Sequence, residues 1–300
     1  MANKLNILVV GANGQLGREI RNLSVTMSDN YYFADVTQIP GEKTLFLDAA
    51  DKESVSRVVR DLDINVIINC AAYTDVEKAE DDQNTCALLN IGMPRLLASI
   101  MKESDGLLVH ISTDYVFDGQ RYDSPYTEEE QVSPINIYGK TKAEGEREVV
   151  ESGCRYLIIR TSWLYSEYGR NFVKTMLSLF AQRSQVNVVS DQIGSPTYAL
   201  DLAEAICDII ESRKCQNNTG IYNYSDGGEC SWYDFAVEIA RLDGNTSCNV
   251  CPCSTAEYPT KAARPAYSVL DKTKIVETFG VEVPCWKESL ARCYHNFKKM

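Results

Sequence analysis

The chain has 300 residues, of which 44% are apolar and 24% charged, and its formal net charge is −12. This length suits one large α/β domain or two unequal ones, with enough apolar residues for a sizeable core. The negative charge argues against nucleic acid and against an anionic membrane surface as partners. No apolar stretch reaches the roughly 18 residues that a membrane-spanning helix needs.

The first residues carry no secretory signal pattern, and the 11 cysteines are irregularly spaced. In a chain of this length without such a signal, free thiols are favoured over a disulfide framework. We therefore expect a cytoplasmic protein.

The first predicted strand, residues 5–10, is an apolar run typical of a strand that is buried on both faces. Gly11, Gly14 and Gly17 follow it and lead into a helical pattern that reaches residue 23. Glycines allow a tight turn, and the free N–H groups of a helix N-terminus can bind a diphosphate. The spacing, Gly-x-x-Gly-x-x-Gly, predicts dinucleotide binding, with a plain strand–helix turn as the alternative.

The second predicted strand, residues 31–34, is followed by Asp35. An acid about 20 residues after the glycines can accept hydrogen bonds from the adenosine ribose. It would repel a 2′-phosphate, which favours NAD over NADP. An ordinary loop aspartate is the alternative.

Two further strands, residues 44–47 and 66–69, are predicted on either side of a helix over 51–62. Asp48 and Ala49 follow the first of them. The second leads into a run of mostly small residues, which would let a cofactor pass close to the backbone: Cys70, Ala71, Ala72 and Tyr73.

The middle of the chain predicts one long helix over residues 85–101 and a fifth strand over 107–111. Asn90 is either a surface residue of that helix or part of a polar network under an active site. His110 is expected to be buried and hydrogen-bonded rather than catalytic. Ser112 and Thr113 place two hydroxyl groups at the end of the strand.

Tyr138 and Lys142 lie on the same face if their segment is helical, with Cβ atoms about 5–6 Å apart. An ammonium beside a phenol is expected to lower the tyrosine pKa from about 10, so that the tyrosine can exchange a proton near neutral pH. This spacing is common on solvated helices. Its occurrence after the glycine turn and Thr113 is what favours catalysis.

A sixth strand over residues 156–160 ends in Thr161-Ser162-Trp163. The regular alternation predicts an α/β fold, a Rossmann-like doubly wound parallel sheet whose ligands bind at the carboxyl ends of the strands. Residues 1–165 would form the dinucleotide-binding domain with the catalytic tyrosine and lysine. Residues 166–300 would form mainly a smaller, partly interleaved substrate lobe, with some segments returning to the first domain.

Two C-terminal features remain ambiguous. Cys248, Cys251 and Cys253 lack the further ligands that a four-coordinate zinc site needs, so no metal site is expected there. Arg264 would either clamp a phosphate or form a surface ion pair.

The glycine turn, residues 112–119 (Ser-Thr-Asp-Tyr-Val-Phe-Asp-Gly) and residues 138–142 (Tyr-Gly-Lys-Thr-Lys) occur in the order typical of the extended short-chain dehydrogenase/reductases. The chain resembles this family nearly end to end, and within it the branch of dTDP-4-dehydrorhamnose reductases. Residues 112–119 and the late Arg264-Pro265 are specific to that branch.

The resemblance implies NAD(P)H-dependent reduction of the 4-keto group of dTDP-4-dehydro-L-rhamnose to dTDP-L-rhamnose, for cell-surface polysaccharide synthesis. Tyr138 would be the general acid, Lys142 would lower its pKa and hold the nicotinamide ribose, and Thr113 would bond the carbonyl. Asp114, Trp163 and Arg264 would join Thr113 in contacting the substrate. The residues expected to contact NADPH or NADH are Gly11, Gly14, Gln15, Leu16, Gly17, Asp35, Asp48, Ala49, Ala71, Ala72, Tyr73, Tyr138 and Lys142.

Two other functions stay open. Relatives of these reductases serve as non-catalytic, NADP-binding regulatory subunits of methionine adenosyltransferase. Other members of the superfamily are reductases, epimerases or dehydratases of different sugar nucleotides. The presence of Thr113, Tyr138 and Lys142 favours an enzyme.

The resemblance also bears on metal binding, because some reductases of this family dimerise around magnesium held by glutamates. Glu19 matches one such position, but Leu200 and Lys287 stand at the other two. Magnesium needs oxygen ligands, which neither side chain provides. We therefore expect a monomer or a metal-independent dimer.

Overall fold

The computed structural model describes residues 4–121 and 124–300. Its strands are β1 (Asn6–Val10), β2 (Asn30–Asp35), β3 (Leu45–Phe46), β4 (Val66–Asn69), β5 (Leu107–Thr113), β6 (Arg155–Thr161), β7 (Leu164–Tyr165), β8 (Gln185–Val189), β9 (Ile193–Gly194), β10 (Thr197–Tyr198), β11 (Gly220–Asn223), β12 (Cys230–Ser231) and β13 (Asn249–Cys253).

Its helices are α1 (Gln15–Ser24), α2 (Lys52–Asp61), α3 (Val76–Ala79), α4 (Gln83–Ala87), α5 (Met93–Glu103), α6 (Ile137–Ser152), α7 (Phe172–Gln182), α8 (Ala199–Glu211), α9 (Trp232–Asp243), α10 (Thr273–Phe279) and α11 (Trp286–Lys299). A π-helical turn, Leu88–Gly92, joins α4 to α5. None of these helices is long and apolar enough to cross a membrane.

A seven-stranded sheet forms the centre of the molecule, in the order β11-β6-β5-β4-β1-β2-β3. All neighbouring strands in it run parallel. The strand order reverses direction between β1 and β4, and this switch point is where doubly wound sheets bind ligands. The predicted Rossmann-like fold is confirmed.

Alternating side chains of β1 enter two separate cores, which is why its sequence is apolar at nearly every position. Ile7 and Val9 pack on one face of the sheet in a cluster that includes Ile20 of α1. Leu8 and Val10 pack on the other face, in a cluster with α5. Helices therefore cover both faces of the sheet.

Segments that follow residue 165 also belong to this sheet. β11 pairs with β6, and α8 packs against α1, where Ile206 of α8 enters the same cluster as Ile7. A third core, away from the sheet, joins α7, α9, α11 and β8 around Tyr165, Phe235 and Trp286 and forms a second body. We call this second body the C-terminal lobe. The assignment of residues 166–300 mainly to substrate binding stays a prediction.

Three elements differ from the sequence-based expectation. The helix predicted over residues 85–101 is interrupted by the π-helical turn. β5 extends through Ser112 and Thr113, because both residues pair with β6. The third strand shortens to Leu45–Phe46.

Candidate active site

A cavity of about 770 Å³ opens at the carboxyl ends of β1, β4, β5 and β6. Most residues predicted to bind cofactor or substrate line it: Gly11, Gly14, Gln15, Leu16, Gly17, Asp35, Asp48, Ala49, Ala71, Ala72, Thr113, Asp114, Tyr138, Lys142 and Trp163. Tyr73 and Arg264 are not among its lining residues.

The glycine turn forms a cradle that larger residues would fill. Gly11 has φ +73°, and a Cβ there would lie 2.6 Å from the backbone nitrogen of Ala71. A Cβ at Gly17 would lie 2.5 Å from the carbonyl oxygen of Gly11. Gly14 is the N-cap of α1 and makes no side-chain hydrogen bond to it. The first N–H groups of α1 are therefore free to bind an anion in the cavity. These features fit the diphosphate of a dinucleotide.

Asp35 lies at the end of β2 beside this turn. Its Oδ2 accepts a hydrogen bond from the backbone N–H of Asn13 at 3.0 Å, and its Oδ1 accepts from the backbone N–H and hydroxyl of Thr37 at 2.9 and 2.8 Å. The carboxylate is therefore fixed next to the cradle, at the distance along the chain where ribose-binding acids occur.

Gln15 connects the first turn of α1 to the start of the C-terminal lobe. Its Oε1 accepts hydrogen bonds from Ser166 Oγ at 3.1 Å and from Asn171 Nδ2 at 2.8 Å. This connection brings Gly169 and the exposed Arg170 to the cavity wall. The sequence analysis missed both, because nothing near them in the chain marks them as neighbours of the glycine turn.

Tyr138 is held beside Thr113 by close packing at the start of α6. Asn136 caps this helix, accepting a hydrogen bond from the backbone N–H of Gly139 at 2.7 Å. A Cβ at Gly139 would lie only 2.1 Å from the carbonyl oxygen of Tyr115, so a glycine is needed where the helix meets the end of β5. The neighbouring hydroxyl of Thr113 lowers the Tyr138 pKa.

The pKa of Tyr138 nevertheless lies above its ordinary value of 10, because burial disfavours the phenolate more than Thr113 stabilises it. The prediction of a Tyr138 pKa below 10 is therefore wrong for this arrangement, in which burial dominates. The Lys142 ammonium donates its hydrogen bond to the carbonyl oxygen of Ile111, at 2.6 Å. A raised pKa keeps Tyr138 protonated at neutral pH, as a proton donor requires.

Lys142 is almost fully buried, at 1% exposure. Burial lowers its pKa to about 8, against the opposing attraction of Glu146. Glu146 itself forms a buried, two-pronged ion pair with Arg160, with Nε–Oε1 and Nη2–Oε2 distances of 3.0 and 2.7 Å, and accepts a hydrogen bond from Ser112. This pair ties α6 to the ends of β5 and β6, and the sequence analysis missed it.

Asp114 lies next to the Thr113 hydroxyl, which donates to its Oδ1 at 3.0 Å. Burial raises the Asp114 pKa to about 7, although hydrogen bonds from Ser268 and Thr113 oppose that shift. Its Oδ2 is buried without a partner among the described residues. Asp114 itself is one of the residues that line the cavity.

Asn90 is fully buried in a polar network below the site, which excludes the surface alternative. Its Oδ1 accepts from the backbone N–H of Tyr73 at 2.9 Å, and its Nδ2 donates to the Tyr73 carbonyl and to Thr141 Oγ1, both at 3.2 Å. Thr141 Oγ1 donates in turn to the Tyr138 carbonyl at 2.9 Å. Asn90 thus links the segment after β4 to the catalytic helix.

Trp163 and Trp232 form a stacked pair in the cavity wall, with ring centroids 3.6 Å apart and planes 10° from parallel. Trp163 was predicted to contact substrate. Trp232 was not predicted, because it lies at the start of a distant helix and its sequence context is that of an ordinary core aromatic.

Arg264 and His110 lie outside the catalytic centre. Arg264 forms an ion pair with Glu77 at 2.7 Å, as in the surface alternative, and its phosphate-binding role stays a prediction. His110 is buried beside Asn69 of the neighbouring strand β4, with 3.1 Å between His110 Nδ1 and Asn69 Nδ2. Burial lowers the His110 pKa well below 6.5. It is therefore neutral.

Cys251 and Cys253 lie in β13, and Cys248 directly precedes it. All three have free thiols. Across residues 4–121 and 124–300, no group of three or more His, Cys, Asp and Glu side chains is placed to hold a metal ion.

A model of the family described as "RmlD substrate binding domain" matches residues 5–299. The chain belongs to this family. Among curated relatives, a dTDP-4-dehydrorhamnose reductase from Aggregatibacter actinomycetemcomitans is 39% identical over 291 residues, covering 95% of this chain and 96% of that protein. One from Salmonella typhimurium is 37% identical over 298 residues, covering 96% of both chains.

Solved structures of the family share the whole architecture. A dTDP-4-dehydrorhamnose reductase from Clostridium acetobutylicum is 40% identical with a TM-score of 0.89, covering 98% of this chain and 100% of that one. One from Bacillus anthracis, in complex with NADP, is 36% identical with a TM-score of 0.86 and the same coverage. A UDP-glucose 4-epimerase from Thermus thermophilus is 19% identical, which shows a shared fold alone.

Proposed function

We propose that this chain is an NAD(P)H-dependent dTDP-4-dehydrorhamnose reductase, which converts dTDP-4-dehydro-L-rhamnose to dTDP-L-rhamnose. The observation that carries the proposal is that Thr113, Tyr138 and the buried Lys142 line one cavity together with a dinucleotide cradle. The curated relatives of that name support the substrate assignment.

The bound nicotinamide supplies the hydride for reduction of the keto group. Tyr138 is protonated and donates its proton to the carbonyl oxygen as negative charge develops there. Thr113 holds a hydroxyl beside that oxygen. Because a positioned donor in a buried site costs no reorganisation during reaction, this pair stabilises the transition state more than bulk water would.

Lys142 acts after the proton leaves Tyr138. Its cation lies one helical turn along α6, and the attraction between ammonium and phenolate offsets the charge that remains on Tyr138. Asp114, which also lines the cavity, would contact a sugar hydroxyl. Arg170, the exposed cation on the opposite wall, is placed to attract the cofactor diphosphate at the first turn of α1.

The site is suited to both NADPH and NADH. The NADP bound to the Bacillus anthracis relative supports NADPH. The fixed carboxylate of Asp35 supports acceptance of NADH, since it can bind a free 2′-hydroxyl.

The free thiols of all 11 cysteines suit a reducing compartment, so we infer that the enzyme acts in the cytoplasm. We also infer a monomer or a metal-independent dimer. Glu19 is buried against Glu167 of its own chain, and burial together with that neighbour raises the Glu19 pKa. A carboxyl group buried in this way is poorly placed to share a metal with a second subunit.

The test is incubation with dTDP-4-dehydrorhamnose and either NADPH or NADH, following the loss of the reduced-nicotinamide absorbance and identifying the product. The proposal expects stoichiometric oxidation of the cofactor and formation of dTDP-L-rhamnose. Cofactor binding without turnover would favour the regulatory-subunit alternative. Interconversion of sugar nucleotides without net cofactor consumption would favour an epimerase.

A further inference from the structure

Trp163 adopts a backbone conformation that bulky residues rarely take. Its φ is +47°, in the left-handed region. Such a conformation is strained and persists only where the surrounding structure enforces it. Since Trp163 lies at the passage from the sheet into the C-terminal lobe, what enforces its conformation also fixes the wall of the cavity there.

Backbone contacts hold the main chain of this residue. The Thr197 N–H donates to the Trp163 carbonyl oxygen at 3.3 Å, and the Ser162 hydroxyl donates to the Ser195 carbonyl oxygen at 2.6 Å. These bonds anchor both sides of Trp163 to the segment that contains β9 and β10. They leave the direction of the indole ring to be set by its neighbours.

Gly194 and Trp232 set that direction. A Cβ at Gly194 would lie 2.6 Å from the Trp163 ring, so only a glycine leaves room for the indole. β12 pairs with β9 and aligns Cys230 with Gly194, which brings Trp232, just after β12, onto the same ring. The stacking distance of 3.6 Å between ring centroids is that of direct face-to-face contact.

Trp232 is itself rigidly mounted. It is the first residue of α9 and lies within the capping box in which Ser231 and Asp234 bond each other's backbone N–H groups. The ring of Phe172 packs against it with centroids 4.7 Å apart. A rigid aromatic in this place can transmit the position of the C-terminal lobe to Trp163.

We propose that Trp232 is a positioning residue for the sugar nucleotide, acting through Trp163. Its ring holds the Trp163 indole against the substrate end of the cavity. The cofactor cradle at Gly11 and Asp35 is built from β1, β2 and α1, which do not include this pair. The inference rests on the proposed function, because it takes Trp163 as a wall of the sugar-nucleotide site.

Steady-state kinetics of Trp232→Leu test the proposal. The KM for the sugar nucleotide should rise roughly two- to tenfold, the range expected for loss of one aromatic pair. The KM for NADPH should not change, and Trp232→Phe should restore most of the loss because a phenyl ring can still stack. An unchanged sugar-nucleotide KM, or an equal rise in the NADPH KM, would overturn the assignment.

A double-mutant cycle with Trp163→Leu separates positioning from direct contact. If Trp232 acts through Trp163, the double variant should have the same sugar-nucleotide KM as Trp163→Leu alone. If the KM increases of the two single variants multiply in the double variant, Trp232 contacts the substrate independently and the proposal is contradicted. The circular-dichroism couplet of two stacked indoles should vanish in either single variant and persist in Trp286→Phe, whose ring lies in the core of the C-terminal lobe.

Equilibrium binding of dTDP-L-rhamnose, followed by tryptophan fluorescence in the Trp286→Phe background, separates this inference from the proposed function. Binding without any turnover would contradict the reductase and leave the effect of Trp232→Leu on affinity to decide the positioning role. Failure of the parent protein to bind dTDP-L-rhamnose would overturn both.

Discussion

At the scale of single residues, burial acts in opposite directions on the two groups that handle the proton. Burial raises the Tyr138 pKa and so keeps that residue protonated. Burial also lowers the Lys142 pKa to about 8, so that Lys142 loses its charge more easily. Both shifts follow from the same rule, that a buried environment disfavours the charged form. Protonated Tyr138 and the charged form of Lys142 are therefore present together only below the pKa of Lys142.

The pH dependence of turnover should show this limit. Lys142 is a cation below about pH 8 and loses its charge above it, so kcat/KM should fall as pH rises through about 8. In Lys142→Met this decline should disappear, with lower activity and weaker cofactor binding at every pH. Lys140→Met, two residues before Lys142 and at an exposed position of α6, is the matched control and should keep the wild-type profile. A flat wild-type profile from pH 7 to 10 would contradict the assignment.

Asp35 should govern the choice between the two cofactors. Replacing it with serine removes the charge that would repel a 2′-phosphate, so the kcat/KM ratio of NADPH to NADH should increase. Asp61→Ser, at the end of α2 and largely exposed, is the control and should leave this ratio unchanged. The measurement is steady-state kinetics with each cofactor. An unaltered ratio in Asp35→Ser would place Asp35 outside the ribose site.

At the scale of elements, the π-helical turn is what brings Asn90 under the active site. The added residue in this turn shifts the helical register, and π turns of this kind occur often at functional sites. The Asn90 amide then satisfies both backbone groups of Tyr73. Close packing supports the arrangement, since a Cβ at Gly145 of α6 would lie 2.0 Å from the Asn90 carbonyl oxygen.

Asn90→Ala should therefore destabilise the protein by about 1–3 kcal/mol, because it leaves partly buried backbone groups of Tyr73 without their partner. Turnover should fall as well, since Thr141 and the start of α6 lose a support. Asn84→Ala, on the exposed face of α4, should have little effect on either quantity. Urea denaturation of both variants measures this. Equal stability of Asn90→Ala and wild type would show that the network contributes nothing to the free energy of unfolding.

Local patterns account for the elements that the sequence could predict. The apolar run of β1, the glycine spacing after it and the spacing of Tyr138 and Lys142 are short-range features, and their order along the chain favours one interpretation. The π turn has no such signature, because its residues suit an α-helix equally well. Trp232 and Arg170 reach the site through contacts between distant segments. The direction of the Tyr138 pKa depends on burial, which spacing alone does not give.

At the scale of the whole molecule, the site is assembled from a sheet and a lobe that share the chain. Residues after 165 return to the sheet as α8 and β11, while Gly169, Arg170 and Trp232 contribute to the wall of the cavity. This interleaving means that the lobe cannot separate far from the sheet. Substrate binding should accordingly involve small adjustments around Trp163 rather than large domain movements.

The metal-independence of the assembly can be tested on the intact protein. Glu19 is buried, Leu200 is apolar and Lys287 is an exposed cation over the Trp286 ring, so none of the three offers a carboxylate to an intersubunit ion. EDTA should change neither the molar mass from light scattering nor the activity. Restoration of lost activity by added magnesium after chelation would contradict this expectation.

The central claim is that Tyr138 protonates a keto group while the nicotinamide reduces it. Tyr138→Phe tests it most directly, with turnover of dTDP-4-dehydrorhamnose and NADPH affinity measured on the same preparation. The account predicts a loss of kcat of roughly 10²–10⁴-fold, the contribution typical of a positioned general acid, with NADPH affinity nearly unchanged and Tyr156→Phe behaving as wild type. Wild-type turnover in Tyr138→Phe would contradict it.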